Sequence, residues 1–268
     1  MNIFVLAKQV PDTSEIKIDP VTNTLMRKGV PSILNTYDGF ALEQALRLKD
    51  EDPDTKVVVI SMGPGQAEDM LRDTLAVGAD KAYLITDKKF GGSDTLATSY
   101  ILANAIKKVA EEEGEPDLVF GGMQAIDGDT AQVGPEVAEL LGLPQVTRGY
   151  TVELNDEGIK VLQEAEGGAR NIQSVLPALI TFTKYKDLDL RYPKIKAKLK
   201  AKKAEIPHIG FDDMEDLDKS KIGLKGSPTR VSKSYAPDIV KDGEIFEGLE
   251  AEDAVNKLVA ALSDDNLI

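Results

Sequence analysis

Val57-Val58-Val59-Ile60-Ser61-Met62-Gly63-Pro64-Gly65 is a continuous apolar run closed by two glycines. A strand with one wet face alternates apolar and polar residues, whereas a run without alternation is covered on both faces. On its C-terminal side Ala67, Met70, Leu71, Leu75 and Ala76 recur at helical spacing and predict a helix over residues 66–77. On its N-terminal side Phe40, Leu42, Ala45, Leu46 and Leu48 predict another over 39–50. The same unit repeats outward. Residues 3–7, 82–85 and 118–120 are further buried runs. Leu96, Tyr100, Ala103, Ile106 and Val109 mark a helix over 94–112, and a fourth helix is placed over 130–141. Buried strands alternating with helices through short connections imply right-handed crossovers. The predicted fold is therefore α/β, a doubly wound and mostly parallel sheet with helices on both faces.

The texture changes after Pro144. Residues 146–154 and 159–166, joined by Asn155-Asp156-Glu157-Gly158, predict a β-hairpin, and residues 177–182 one more buried strand. From 188 onward apolar density falls, and Arg191-Tyr192-Pro193, Gly223, Pro228, Pro237 and Gly243 interrupt the chain. A final amphipathic helix over 250–262 presents Leu258 and Leu262. Residues 1–187 thus form the expected nucleotide-binding domain. Residues 188–268 form an extended C-terminal arm, too poor in core residues to fold alone and expected to pack on another polypeptide.

Composition narrows the chemistry. The 268 residues contain no cysteine, which removes disulfides, thiolate metal sites and cysteine nucleophiles. They contain one histidine, His208, read as a partly exposed loop residue without an obvious partner, so histidine metal clusters are excluded by count. The net charge of −14 argues against nucleic acid. Residues 184–203 hold nine Lys/Arg and two Asp, a local +7 that leaves −21 elsewhere. No apolar run approaches the ~20 residues of a membrane span, and Met1-Asn2-Ile3-Phe4-Val5-Leu6-Ala7-Lys8 lacks a basic leader, so a cytoplasmic location is expected.

In an open parallel sheet, ligands bind beyond the carboxyl ends of the strands, where helix N-termini present unpaired N–H groups. Four loops belong to that edge: 7–12, 61–65, 91–95 and 121–135. As a dinucleotide fingerprint the second is incomplete, because Glu68 stands at the third glycine position. In the third, Ser93 or Asp94 caps a helix. The fourth is the richest: Gly122, Met123, Gln124, Ala125, Ile126, Asp127, Gly128, Asp129, Thr130, Ala131, Gln132 and Val133 follow a buried strand directly. Acids repel phosphate, so Asp127 and Asp129 suit ribose hydroxyls or helix capping, while Gly128 and Thr130 suit close approach of a ligand. Asn35-Thr36-Tyr37-Asp38 combines an N-cap with an aromatic that could stack on a flat ring. A universal-stress-type nucleotide module shares this layout, but the lysine-rich arm speaks against it; no Gly-Lys-Ser/Thr phosphate loop supports an ATP-using ligase.

Several stretches, in order along nearly the whole chain, resemble the beta subunit of electron transfer flavoproteins. They are Val5-Leu6-Ala7-Lys8-Gln9-Val10-Pro11-Asp12, Asn35-Thr36-Tyr37-Asp38, Ser61-Met62-Gly63-Pro64, Leu75-Ala76-Val77-Gly78-Ala79-Asp80, Gln124-Ala125-Ile126-Asp127, and Glu166-Gly167-Gly168 on to Leu176-Pro177-Ala178. The family signature departs at Gln163, where a basic residue is usual, and at Arg170, where an acid or amide is usual. The resemblance implies a heterodimer with an alpha subunit that carries the electron-transferring FAD, and a second nucleotide on this chain. That nucleotide is AMP in housekeeping members. In electron-bifurcating members it is FAD, which takes electrons from NADH and delivers them to ferredoxin or flavodoxin and, through the alpha subunit, to a flavin-dependent dehydrogenase. Asp127-Gly128-Asp129-Thr130-Ala131-Gln132-Val133-Gly134-Pro135 resembles the bifurcating type. By carry-over Ala7, Asn35 to Asp38, Met62 and Gly122 to Val133 line the nucleotide, with Thr95 and Thr98 added because they open a helix. No side chain is required as an acid or base. Arg191, Ile195 and Lys196 fall in the family's client-docking loop; the unusual Asp187-Leu188-Asp189-Leu190 before them leaves an acyl-CoA or a lactate-type dehydrogenase as client.

Overall fold

A computed structural model describes residues 1–12, 31–186, 188–232, 243, 245 and 247–268. Asp187 and Pro237 lie outside the described residues. The chain divides into two compact units, Met1–Ser232 and Lys233–Ile268.

In the first unit the strands are β1 (Asn2–Leu6), β2 (Gln9–Pro11), β3 (Ser32–Leu34), β4 (Lys56–Met62), β5 (Lys81–Ile85), β6 (Leu118–Gly122), β7 (Gln145–Asn155), β8 (Gly158–Ala165), β9 (Gly168–Ser174), β10 (Ala178–Phe182) and β11 (His208–Ile209). Its helices are α1 (Thr36–Glu51), α2 (Ala67–Val77), α3 (Thr95–Glu113), α4 (Val133–Leu141), α5 (Ile195–Ala201) and the single turn α6 (Gly223–Gly226). The central sheet runs in the order β11-β5-β4-β1-β6-β10-β7-β8-β9. From β11 to β7 all pairings are parallel; β8 and β9 then add antiparallel.

Strand side chains alternate between two cores, which is why the strands read as unbroken apolar runs. Ile3, Val5, Val57, Val59, Leu118, Phe120 and Ile180 face α1 and α2, with Phe40, Leu42, Leu46 and Leu71 opposite. Phe4, Val58, Ile60, Tyr83, Val119 and Leu179 face α3 and α4, with Ile101, Ile106 and Val137 opposite. The sheet is doubly wound, and its direction of winding reverses at β1, which pairs β4 on one side and β6 on the other.

Several local expectations change. The hairpin is a three-stranded meander, because β9 pairs β8 from Ala165↔Gly168 to Ile159↔Ser174. The two departures from the family pattern are cross-strand partners there: Arg170 Nε donates to Gln163 Oε1 at 2.7 Å. The loop after β1 is a short antiparallel ladder of β2 with β3. The fourth helix starts at Val133 rather than 130, because Asp129 and Ala131 hold left-handed backbone angles (φ 51° and 53°) that no helix admits. Part of the arm packs on its own chain: Ile206 joins the core under α2, and Ile209, Met214, Leu217 and Ile222 join the core under α3. His208 is not an unpartnered loop residue; it sits in β11 and its Nε2 lies 2.6 Å from Glu68 Oε1 in the first turn of α2.

The second unit contains α7 (Ala251–Asp264), whose Val255, Leu258 and Val259 are exposed. Among the described residues no helix is long and apolar enough to cross a membrane.

Candidate functional site

The reversal of winding leaves a crevice beyond the carboxyl ends of β1 and β6, the place where such sheets bind ligands. Chain from three sources meets there. Ala7 and Lys8 leave β1, Asn35 to Asp38 open α1, and residues 122–133 connect β6 to α4.

Asp38 ties the strand ends together. Its carboxylate accepts the Lys8 N–H at 2.7 Å and the Gly122 N–H at 3.0 Å, and the residue is 7% exposed. Burial pushes this carboxyl up to about 7, against the pull of the Lys8 N–H, the Asn35 side chain and the Gly122 N–H. Asn35 is 1% exposed and makes no side-chain cap on α1. Its Nδ2 instead donates to Gln124 C=O at 2.8 Å, and its Oδ1 accepts the Ile126 N–H at 3.1 Å. The amide that sequence placed as an N-cap thus reads the loop backbone across 89 residues of chain.

Gly122 has no alternative at this point. A Cβ there would lie 2.7 Å from Tyr37 Cβ and 2.8 Å from Asp38 N. Tyr37 is half-buried and packs edge-to-face on Phe40 at 6.1 Å, so it is part of the wall rather than a free stacking surface. Thr36 is exposed, and Ala7 is buried. The Met123 N–H donates to Phe182 C=O at 2.8 Å, which fixes the start of the loop on β10. Ala125 C=O accepts the Gly128 and Asp129 N–H groups, making a turn.

Neither loop acid caps a helix. Asp127 Oδ1 pairs with Lys8 Nζ at 2.5 Å, and Asp129 Oδ1 accepts from Gln124 Nε2 at 2.7 Å. Gly128, Asp129, Thr130 and Ala131 are exposed, and a Cβ on Gly128 would meet nothing within 4 Å. The loop therefore has a clamped foot and an open crest. Gln132 closes the far side by accepting from Thr95 Oγ1 at 3.0 Å, and Glu136 accepts from Ser99 Oγ at 2.8 Å. Asp94 caps α3 through the Ala97 N–H, while the Ser93 hydroxyl accepts the Gly223 N–H. Thr98 lies half-buried one turn inside α3, its N–H bonded to Asp94 C=O. Met62 is half-buried at the end of β4, and Val133 half-buried at the start of α4. Lys8 lies in the 7–12 loop expected at the binding edge but is not among the residues expected to line the nucleotide; its partner Asp127 lies 119 residues away in sequence.

A second feature lies on the face of α1 and α2. Arg191 is held by Glu43 (2.9 Å) and by Asp50 (2.8 Å), both on α1. Beyond it Tyr192 and Ile195 are 96% and 81% exposed, and Leu199 and Lys196 are exposed among the lysines of α5.

The electron transfer flavoprotein domain model matches residues 22–214. The chain belongs to the electron transfer flavoprotein family, on its beta-subunit side. It is 49% identical to electron transfer flavoprotein subunit beta of Thermoanaerobacterium thermosaccharolyticum over the whole of both chains. It is 51% identical to the subunit beta of Megasphaera elsdenii, over 88% of each. It is 45% identical to the caffeyl-CoA reductase-Etf complex subunit CarD of Acetobacterium woodii, again over the whole of both. In this electron transfer flavoprotein chain Asn35 and Asp38, carried over from the family motif, are hydrogen-bonded to the 122–126 stretch beside the end of β1. Thr95, added because it opens a helix, reaches the loop through Gln132, and Arg191, Ile195 and Lys196 lie apart from these, in and beside α5.

Proposed function

We propose that this chain is the beta subunit of a heterodimeric, electron-bifurcating electron transfer flavoprotein that holds FAD at the β1/β6 crevice. The observation that carries the reading is the 122–133 loop, clamped at its foot by Asn35 and Asp38 and open at its crest, where Gly128 adds no side chain and Ala131 only a methyl. That shape leaves room for a ligand larger than a mononucleotide, and the donor set fits one. Backbone N–H groups at the start of α1 suit phosphate oxygens, the exposed Asp129 and Thr130 suit ribose or ribityl hydroxyls, and Ile126, Met62 and Tyr37 supply apolar surface. Ala7, Asn35 to Asp38, Met62, Thr95, Thr98 and Gly122 to Val133 are the residues proposed to hold it.

FAD bound there would supply the redox chemistry, accepting two electrons from NADH and passing them on separately to ferredoxin or flavodoxin and to the flavin of an alpha subunit. The protein's own contribution is to bind, orient and shield; no side chain of the crevice is assigned as an acid or base. Tyr192, Ile195 and Lys196 are proposed to dock a flavin-dependent dehydrogenase of acyl-CoA or lactate type, with Arg191 anchoring that segment to α1 rather than touching the client. The end of the arm, α7 included, is proposed to pack on the alpha subunit, and the assembly to work in the cytoplasm.

The test is a count. The chain is co-produced with its alpha-type subunit, the bound nucleotides are released with acid, and FAD is measured against AMP. Two FAD per heterodimer with reduction by NADH is the expected result. One FAD with one AMP would replace this reading by that of a non-bifurcating carrier holding a structural mononucleotide.

A further inference from the structure

Lys8 touches every chain segment that meets at the end of β1. Its N–H donates to Asp38 at 2.7 Å, its C=O accepts the Asn35 N–H at 2.9 Å, and its ammonium pairs with Asp127 at 2.5 Å. The pair is unequal in its exposure. The Asp127 side chain is 11% exposed, and that of Lys8 47%. A carboxylate so shielded from water is poorly screened, and unpaired it would repel phosphate oxygens arriving at the same rim. The ammonium, half in water, can meet an incoming anion without leaving its partner, having three donors.

We propose that Lys8 is the positioning and charge-selecting residue of this crevice: it neutralises Asp127, so that an acidic loop can close on a phosphate-bearing ligand, and it turns the rim from repelling diphosphates to accepting them. This rests on the nucleotide reading above and adds to it the residue that sets preference for phosphorylated over unphosphorylated adenine compounds.

The test uses the full heterodimer depleted of its nucleotides, with ADP and adenosine as probes. Binding is read as ligand-induced protection of the 122–133 amides from hydrogen exchange, so that other sites do not contribute. Lys8→Gln is expected to weaken ADP about tenfold and adenosine less than about twofold. The double variant Lys8→Gln/Asp127→Asn is expected to return ADP affinity to within about threefold of the parent, because it removes the uncompensated charge. Asp127→Asn alone, which leaves Lys8 free for phosphate, is expected to bind ADP at least as tightly as the parent, and serves if Lys8→Gln does not fold. Equal weakening of ADP and adenosine, or no recovery in the double variant, or weaker ADP binding by Asp127→Asn, would overturn the inference. A parent protein that binds neither probe would remove the nucleotide reading and this inference with it.

Discussion

Two residues show how little chemistry the crevice needs in order to be shaped. Gly122 ends β6 against Tyr37 and Asp38, and a methyl there must displace backbone as well as side chain. Gly122→Ala is therefore expected to cost about 1–3 kcal/mol of stability, seen as a lower melting temperature, whereas a neutral result would show that α1 can move away. Asp38 makes a different demand. Its carboxyl takes a proton near pH 3.8 in the unfolded chain and near 7 when buried. Between those values the folded form binds more protons than the unfolded one, so the contribution of Asp38 is full below about 4 and is lost as pH rises through about 7. Stability measured by denaturant from pH 4 to 7 should fall less steeply in Asp38→Asn than in the parent; equal slopes would remove Asp38 as the source. The glycine-rich, acid-rich loop was legible as a candidate site in sequence because its residue types are unusual after a buried strand. Its supports were not. Asn35 looks like an N-cap by type, and only the approach of Gln124 and Ile126 reassigns its amide.

At the scale of elements, α1 links the crevice to the arm. It is buried from Asp38 to Leu46, and it holds the crevice at its first turn and the arm through Glu43 and Asp50. The Glu43 carboxylate is buried and receives the Arg191 N–H as well as the guanidinium. The same contacts hold the Arg191 guanidinium above its ordinary range, the Glu43 and Asp50 bonds being the principal causes. Glu43→Gln should destabilise by about 1–3 kcal/mol and release the α5 segment from α1. Hydrogen exchange rising through 188–201 with the crevice amides unchanged is the expected pattern; loss of protection in both would show that crevice and arm are one cooperative unit. The arm is poor in core residues by sequence, yet part of it joins both cores of the first unit. Its apolar residues Ile206, Ile209, Met214, Leu217 and Ile222 are widely spaced and without helical or strand periodicity. They enter the two cores from an irregular stretch of chain, which leaves no periodic signal.

For the whole molecule, charge separates along the chain. Residues 184–203 carry +7 and the remainder −21. The positive segment includes α5, and Tyr192 before it and Ile195 and Leu199 within it stand out into solvent. Such a distribution favours oriented encounter with an acidic partner and is weakened by counterions. Association of the heterodimer with the proposed client dehydrogenase should slow several-fold as ionic strength rises from roughly 0.05 to 0.5 M, the dissociation rate changing less. A salt-independent association rate would leave the lysines as solubilising surface only.

Sequence alone determined the class of the fold, because unbroken apolar strands between amphipathic helices have one stable arrangement, a parallel sheet covered on both faces. It also determined which edge of that sheet carries the unusual residues. Tertiary structure decided what those residues do to one another: Asp38 joins the ends of β1 and β6, Asn35 grips a loop backbone, and Lys8 meets Asp127. The physical reason is range. Hydrophobic periodicity is written within a dozen neighbouring residues, whereas a hydrogen bond between loops 30 to 119 positions apart exists only after the strands between them have taken their order.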